Sequence, residues 1–119
     1  MKCRFGGINI STDKPHETLE FYRKLGFRVL QEPSEPWFGA MIALQLSAGQ
    51  TPVIWIWRRG DNEQKSCCNQ LTFMTDGHMD ETYAQITASG IECEPPFTAA
   101  WGGRELILHD PAGNELLFL

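Results

Sequence analysis

The chain has 119 residues, a length that suits one domain with a proper core and is too short for two independent ones. Hydrophobic residues make up 42% and charged residues 21%, a composition that is typical of a globular domain and argues against disorder. Fifteen acidic residues outweigh ten basic ones, so the formal charge is -5, and nucleic acid and anionic membranes are not expected as partners. The apolar runs are far shorter than a membrane span, and the start, MKCRFGGINI, does not resemble a signal peptide, so we expect a cytoplasmic protein.

The first half of the chain is predicted to be a strand, a helix and three further strands. RFGGINIS precedes a helix within Thr12–Phe27, where Pro15 suits the first turn and Gly26 the position just past the end. The strands that follow are enriched in β-branched and aromatic residues. They are FRVLQ, FGAMIALQLS and PVIWIWR. The polar stretch RRGDNEQKS then predicts a linker near residues 60–66.

The second half repeats this plan. NQLTFMT precedes a helix within Thr75–Ile91, which shares with the first helix a Thr-Asp start, a His in the opening turn and a Gly at the end. Three strands follow, IECE, RELILH and ELLFL. The sequence therefore predicts an α+β fold of two β-α-β-β-β modules within one domain, residues 1–119. Module 1 spans about 1–60 and module 2 about 67–119.

Alternation along the strands sorts side chains onto faces. Trp55 and Trp57 point to one side of the strand PVIWIWR, and Ile54 and Ile56 to the other. A strand that is apolar on both sides can pack one face under a helix, and its other face must line a cavity or contact a partner subunit. In RELILH, Glu105, Ile107 and His109 share one face by the same rule.

Two motifs, one near each end of the chain, resemble those of a known family. These are TLEFYRKLGF (Thr18–Phe27) and the turn HDPAGN (His109–Asn114), in which Pro fixes φ, Asp can bond the backbone ahead and Gly supplies a positive φ. They resemble the vicinal oxygen chelate superfamily of glyoxalases, extradiol dioxygenases and bleomycin-resistance proteins. The resemblance implies curved mixed sheets around a cleft.

Within that superfamily, WGGRELILHDPAGN and DETYAQI (Asp80–Ile86) are most similar to bleomycin-resistance proteins. The resemblance implies a homodimer, with or without exchange of the N-terminal strand, whose clefts hold a planar aromatic drug between aromatic side chains without altering it. The aromatic residues at the matching positions are Phe38, with Trp37 as its neighbour, and Trp101. Gly102 and Gly103 would let backbone approach a ligand closely.

Catalytic members of the superfamily bind a divalent metal through His, Gln or Glu on the first and last strands of both modules. At the corresponding positions this chain has Leu117, Gly6 or Gly7, and Gln70, while PVIWIW offers no ligand side chain. One amide does not hold a divalent ion against water, so we predict neither a metal nor another cofactor. Cysteines 3, 67, 68 and 93 have no metal-site spacing and are predicted to be free thiols.

The sequence thus favours a protein that sequesters a planar aromatic, neutral or cationic, small molecule. The predicted ligand contacts combine stacking surfaces with nearby polar groups. They are Trp101, Phe38, Trp37, Gly102, Glu105, His109, Trp55 and Trp57. Two alternatives remain: a lyase, transferase or dioxygenase with an atypical metal site that uses Gln70, His109 or Glu115, and a structural or regulatory protein whose aromatic face is only a subunit interface.

Overall fold

The structure is a computed structural model that describes residues 1–2, 5–44, 51–60 and 69–119. The chain divides into two compact units, Met1–Ser66 and Cys67–Leu119, which we call unit 1 and unit 2. Each described unit contains one helix and a four-stranded mixed sheet. The predicted α+β class and the duplicated β-α-β-β-β order are confirmed. Beyond Gly60, the linker predicted near residues 60–66 lies outside the described residues.

Unit 1 places its four strands in the order β1-β4-β3-β2, with β1 and β4 parallel and the other pairs antiparallel. Its elements, in chain order, are β1 Gly7–Thr12, α1 Pro15–Lys24, β2 Val29–Gln31, β3 Ala40–Ala43 and β4 Val53–Arg58. The core is built where isoleucines of three strands meet α1, and Ile10, Ile42 and Ile56 are fully buried. Tyr22 of α1 is also fully buried and meets Phe27 edge to face, with ring centroids 5.5 Å apart.

Unit 2 repeats the arrangement with the order β5-β8-β7-β6. Its elements are β5 Gln70–Phe73, α2 Met79–Ala88, β6 Phe97–Thr98, β7 Arg104–His109 and β8 Glu115–Phe118. Leu106, Leu108 and Leu116 are buried between the sheet and α2, whose Met79 and Ile86 are buried with them.

The strand predicted at IECE is wrong, because residues 91–96 have no regular structure and β6 begins only at Phe97. Pro95 and Pro96 explain the shift, since neither has an N–H to donate to a neighbouring strand. Pairing therefore starts beyond them, where Phe97 lies opposite Glu105 of β7. This shift brings Phe97 onto the same face of the sheet as Glu105.

The HDPAGN turn joins β7 to β8 through buried polar groups, as its composition predicts. The Asp110 carboxylate accepts the Asn114 backbone N–H at 2.8 Å and its side-chain amide at 2.9 Å. Asn114 Oδ1 in turn accepts the backbone N–H of Asn69, the residue just before β5, at 3.1 Å. The turn thus fixes the ends of three strands and, with them, the positions of His109 and Glu115.

Candidate functional site

Side chains on one side of the unit 2 sheet remain partly open to solvent, and we call this side the half-exposed face. Its members follow from the strand register, since residues opposite one another share a face. They are Gln70, Thr72, Phe97, Glu105, Ile107, His109, Glu115 and Leu117. The shared face predicted for Glu105, Ile107 and His109 agrees with this pattern, because Leu106 and Leu108 between them are buried on the other side.

Trp101 lies in the tight loop between β6 and β7, at one end of this face. The loop is closed by two backbone hydrogen bonds, from Ala99 N–H to the Gly103 carbonyl at 2.8 Å and from Gly102 N–H to the Ala99 carbonyl at 2.9 Å. Gly102 has a φ of 97°, a conformation that favours glycine. The loop leaves 66% of Trp101 exposed, as its glycine neighbours predict.

The Trp101 indole is nevertheless held in place at both ends. Its Nε1 donates a hydrogen bond to Glu105 Oε2 at 2.7 Å. Its six-membered ring lies directly over Gly103, where an added Cβ would overlap Cη2, Cζ3 and Cζ2. The ring can occupy this place only because Gly103 has no side chain.

A row of polar residues occupies the opposite end of the half-exposed face. Gln70 Nε2 donates to Glu115 Oε2 at 2.6 Å, and His109 Nε2 lies 3.9 Å from Glu115 Oε1. Gln70 and His109 are the direct cross-strand neighbours of Glu115 on either side. Between this row and Trp101 lie the half-exposed side chains of Ile107 and Leu117, which are opposite one another.

Unit 1 carries a second group of aromatic side chains. Trp57 donates from Nε1 to Asn9 Oδ1 at 3.1 Å, and Trp55, two residues earlier, is half-buried on the same side of β4. Trp37 lies between β2 and β3 and is 63% exposed, while its carbonyl accepts the Arg58 N–H at 2.9 Å. The opposite side of β4, with Ile54 and Ile56, is fully buried, as the alternation predicts.

Phe38 was expected at a ligand-contacting position, but the structure places it in the core of unit 1. It is fully buried and meets His16 edge to face, with ring centroids 4.7 Å apart. Its φ of 74° and that of 41° at Gly39 interrupt the alternation of faces, and they turn Phe38 inward while Trp37 points outward. Trp37 is therefore the accessible aromatic side chain at this point of the chain.

The donors present do not fit the coordination shell of a divalent metal ion. Gln70, Glu115 and His109 supply one amide, one carboxylate and one imidazole. Of the two carboxylate oxygens, Oε2 accepts from Gln70 and Oε1 lies 3.9 Å from His109 Nε2. Gly6 and Gly7, the two positions that the resemblance makes candidates for a ligand, offer no donor side chain, and at Gly7 an added Cβ would overlap the Val53 carbonyl oxygen. Among the described residues, no three His, Cys, Asp or Glu side chains come together as a metal site would require.

Phe97 is the member of the site that the sequence prediction missed. It is 45% exposed and lies opposite Glu105, next to the Trp101 loop. The sequence prediction places this strand at IECE, which ends before Phe97. The signal that indicates the later start is the Pro95-Pro96 pair, since proline cannot donate a hydrogen bond to a neighbouring strand.

Charge is divided unevenly between the two halves of the chain. Residues 69–119 contain eight carboxylates and a single arginine, a formal side-chain charge of -7, whereas residues 1–60 carry +3. Arg104 does not offset the half-exposed face, because it pairs at 3.0 Å with Asp80 of α2, on the other side of the sheet. Glu105 and Glu115 therefore lie in the acidic half of the chain, residues 69–119, and Arg104 does not neutralise either of them.

Cys93 is the one cysteine among the described residues, and it lies outside the half-exposed face. Burial raises the pKa of the Cys93 thiol, and the neighbouring Glu94 raises it further, so Cys93 is a weakly acidic free thiol. Cysteines 3, 67 and 68 lie outside the described residues. Over the described ranges, no helix has the length and apolar character needed to cross a bilayer.

Comparison with known proteins identifies relatives of the whole chain. The model of the Glyoxalase/Bleomycin resistance protein/Dioxygenase superfamily matches residues 4–118. No functionally curated protein gives a significant sequence match. Several solved structures share the fold at low sequence identity.

A superfamily member from Sphaerobacter thermophilus DSM 20745 is 19% identical with a TM-score of 0.69, and the match covers 99% of this chain and 98% of that one. A bleomycin-binding protein complexed with bleomycin is 20% identical with a TM-score of 0.66 and coverage of 99% and 97%. A lactoylglutathione lyase from Agrobacterium tumefaciens is 14% identical with a TM-score of 0.65 and coverage of 94% and 90%. At these identities the likeness concerns the fold, and both a binding protein and an enzyme share it.

Proposed function

Because the chain belongs to the Glyoxalase/Bleomycin resistance protein/Dioxygenase superfamily, we propose that it binds and sequesters a planar aromatic small molecule, neutral or cationic, without a metal ion. The observation that carries this proposal is the state of Trp101. Its indole is largely exposed, yet it is held over Gly103 and hydrogen-bonded to Glu105 by contacts within the chain itself. A bleomycin-binding protein with the same fold provides a precedent for drug binding.

An exposed indole that is already fixed is a good stacking surface. Stacking contributes about 0.5–1.5 kcal/mol per aromatic pair beyond the burial of area, and a surface that is held in place loses little conformational entropy on binding. Phe97 adds a second ring beside Glu105. Gly102 and His109 are proposed to contribute close backbone approach and a polar contact at the two ends of the face.

The aromatic residues of unit 1 are proposed as ligand contacts on the surface of that unit, considered by itself. Trp37 and Trp57 are exposed, and Trp55 is partly so. Phe38 is assigned a packing role instead, because its ring is fully buried. We place the protein in the cytoplasm as a homodimer, with or without exchange of the N-terminal strand, and size-exclusion chromatography with light scattering measures the oligomeric state.

The test is a fluorescence titration of the protein with bleomycin, a planar intercalating dye and a neutral polycyclic aromatic compound. We expect saturable quenching by at least one of them, and about tenfold weaker binding by Trp101→Ala. Phe5→Ala is the matched control, because Phe5 is an equally exposed aromatic residue that lies outside the proposed site. Failure of all three compounds to bind, or an unchanged affinity in Trp101→Ala, would refute the proposal.

The metal-dependent alternative is less well supported. Its proposed ligands Gln70, Glu115 and His109 do lie side by side, but they contain only one carboxylate, which already accepts a hydrogen bond from Gln70.

A further inference from the structure

We infer that the ligand of the proposed site is an elongated dication, with two positively charged groups about 13–14 Å apart on an aromatic and apolar body. This inference rests on the proposed function and specifies the class of ligand. It depends on where the half-exposed face places its two carboxylates, on what lies between them and on the charge of the surrounding half of the chain.

The two carboxylates lie at opposite ends of the face. Glu105 begins β7 beside Trp101, and Glu115 lies on β8 directly opposite His109, which is four residues after Glu105. The Cα atoms of residues four apart on a strand are about 13 Å apart, and the step to the adjacent strand brings the Cα separation of Glu105 and Glu115 to about 14 Å. Two cations joined by a spacer of that length can therefore reach both acids.

The surface between the acids is mainly apolar, with the exposed Thr72 as a polar neighbour opposite Leu117. Ile107 and Leu117 lie opposite one another at the centre of the face and are half-exposed, and Phe97 and Trp101 flank the Glu105 end. A body made of aromatic rings and a short hydrocarbon linker would cover this surface and stack on Trp101. A compact or polar dication would leave it in contact with water.

Both carboxylates keep capacity to accept hydrogen bonds from a ligand. An ionised carboxylate has about four acceptor positions, of which Trp101 uses one on Glu105 and Gln70 one on Glu115. His109 Nε2, at 3.9 Å, is too far from Glu115 Oε1 for a hydrogen bond. A planar amidinium group can donate two parallel bonds to such a carboxylate.

The long-range field favours the same class of ligand. Residues 69–119 have a formal side-chain charge of -7, and their one arginine is paired with Asp80 away from the face. A dication gains more from this field than a monocation, and the gain falls as salt is added.

The experiment compares bis(4-amidinophenoxy)alkanes of increasing linker length with monoamidines in which one amidine is replaced by a carboxamide. Calorimetric titrations are made at low and at physiological ionic strength. We expect the affinity to peak for the dications whose amidinium carbons are about 13–14 Å apart. These should bind about tenfold more tightly than the matched monoamidines, because one charge-assisted contact is added.

Two variants assign the charges. Glu115→Gln should remove the advantage of the dication and lower the monoamidine affinity only as slightly as any loss of one charge from the acidic half, while Glu105→Gln should weaken both ligands about fivefold to tenfold. Glutamine at position 105 can still accept the Trp101 hydrogen bond, so the stacking surface is retained. Glu92→Gln removes a charge from the same acidic half but outside the face, and it should lower both affinities only slightly.

Equal affinities for dication and monoamidine, no dependence on linker length, or equal losses of dication affinity in Glu92→Gln and Glu115→Gln would overturn the inference. If the monoamidine still bound in a way that required Trp101, the proposed function would stand and only the two-charge inference would fail. If neither ligand bound and the neutral aromatic compounds also failed, both would fall together.

Discussion

Trp101 Nε1 donates to Glu105 Oε2 at 2.7 Å, so a residue in the loop and an acid on the following strand act as one unit. The bond fixes the indole from its polar edge, and Gly103 supports the ring from below. Glu105 is therefore not engaged by its neighbour Arg104, which pairs with Asp80 instead. An acid and an exposed ring at hydrogen-bonding distance form a surface that suits a planar cation.

Gly103→Ala should displace the Trp101 ring, because the new methyl group would overlap three atoms of its six-membered ring. We expect an affinity for aromatic ligands about tenfold weaker, close to that of Trp101→Ala, since the stacking surface is lost. Quenching of Trp101 fluorescence by acrylamide should also change. Trp37, Trp55 and Trp57 contribute to the same signal, so the contribution of Trp101 is taken as the difference from the same measurement on Trp101→Ala.

Gly90→Ala is the control for this substitution, because Gly90 follows α2 and is not a proposed ligand contact. Its φ of 87° makes alanine unfavourable there by about 1–2 kcal/mol, but an added Cβ meets no described atom within 4 Å. It should therefore lower stability without a comparable loss of affinity. Equal losses of affinity in both variants would show that the support of the ring by Gly103 is unimportant.

Trp37 and Phe38 are adjacent and should respond to mutation in opposite ways. Phe38→Ala removes a fully buried ring and should lower the free energy of unfolding by about 3–5 kcal/mol. Trp37→Ala removes an exposed ring and should change stability by less than about 0.5 kcal/mol while weakening ligand binding. Urea unfolding followed by circular dichroism measures the first effect. A destabilised Trp37→Ala variant would contradict this assignment.

Asn114→Ala should destabilise unit 2 by about 2–3 kcal/mol, because the Asn114 side chain donates to the buried Asp110 carboxylate and accepts from the Asn69 backbone. Asn69→Ala is a matched control, since it keeps that backbone N–H and removes only a long 3.4 Å contact. Its effect in urea unfolding should be well below that of Asn114→Ala. Similar losses in the two variants would argue against the network.

The duplicated fold could be predicted from sequence because it depends on local signals: alternation along the strands, glycines after the helices and the HDPAGN turn. The exposure of Trp101 followed from its glycine neighbours in the same way. Its hydrogen bond to Glu105 did not, because that contact depends on how the loop folds back upon β7.

The errors came from backbone geometry and from distant partners. Phe38 turns inward because its φ is 74°, a conformation that the alternation of side chains along a strand does not predict. Pro95 and Pro96 shift the start of β6 to Phe97. At the start of α1, Thr12 Oγ1 accepts the Lys14 N–H, and Asp13 pairs at 2.9 Å with Arg59, a distant partner that local sequence signals do not reveal.

The Cys93 thiol should be alkylated more slowly than a fully solvated cysteine at the same pH, because burial and then Glu94 raise its pKa and lower the thiolate fraction. Glu94→Gln should lower this pKa and accelerate alkylation. Glu92→Gln is the control on the other side of Cys93. Iodoacetamide labelling with peptide mass spectrometry separates Cys93 from the other cysteines. A rate unaffected by Glu94→Gln would mean that Glu94 does not contribute to the raised pKa.

Protein purified without chelator should carry far less than one equivalent of any divalent metal, and chelator treatment should leave aromatic-ligand affinity unchanged. The reason is the donor set: Glu115 is the one carboxylate of its row and accepts from Gln70, while hydrocarbon and glycine stand at Leu117 and Gly7. Inductively coupled plasma mass spectrometry measures the metal content. About one ion per chain that is lost in both His109→Ala and Glu115→Gln would instead favour the metal-dependent enzyme.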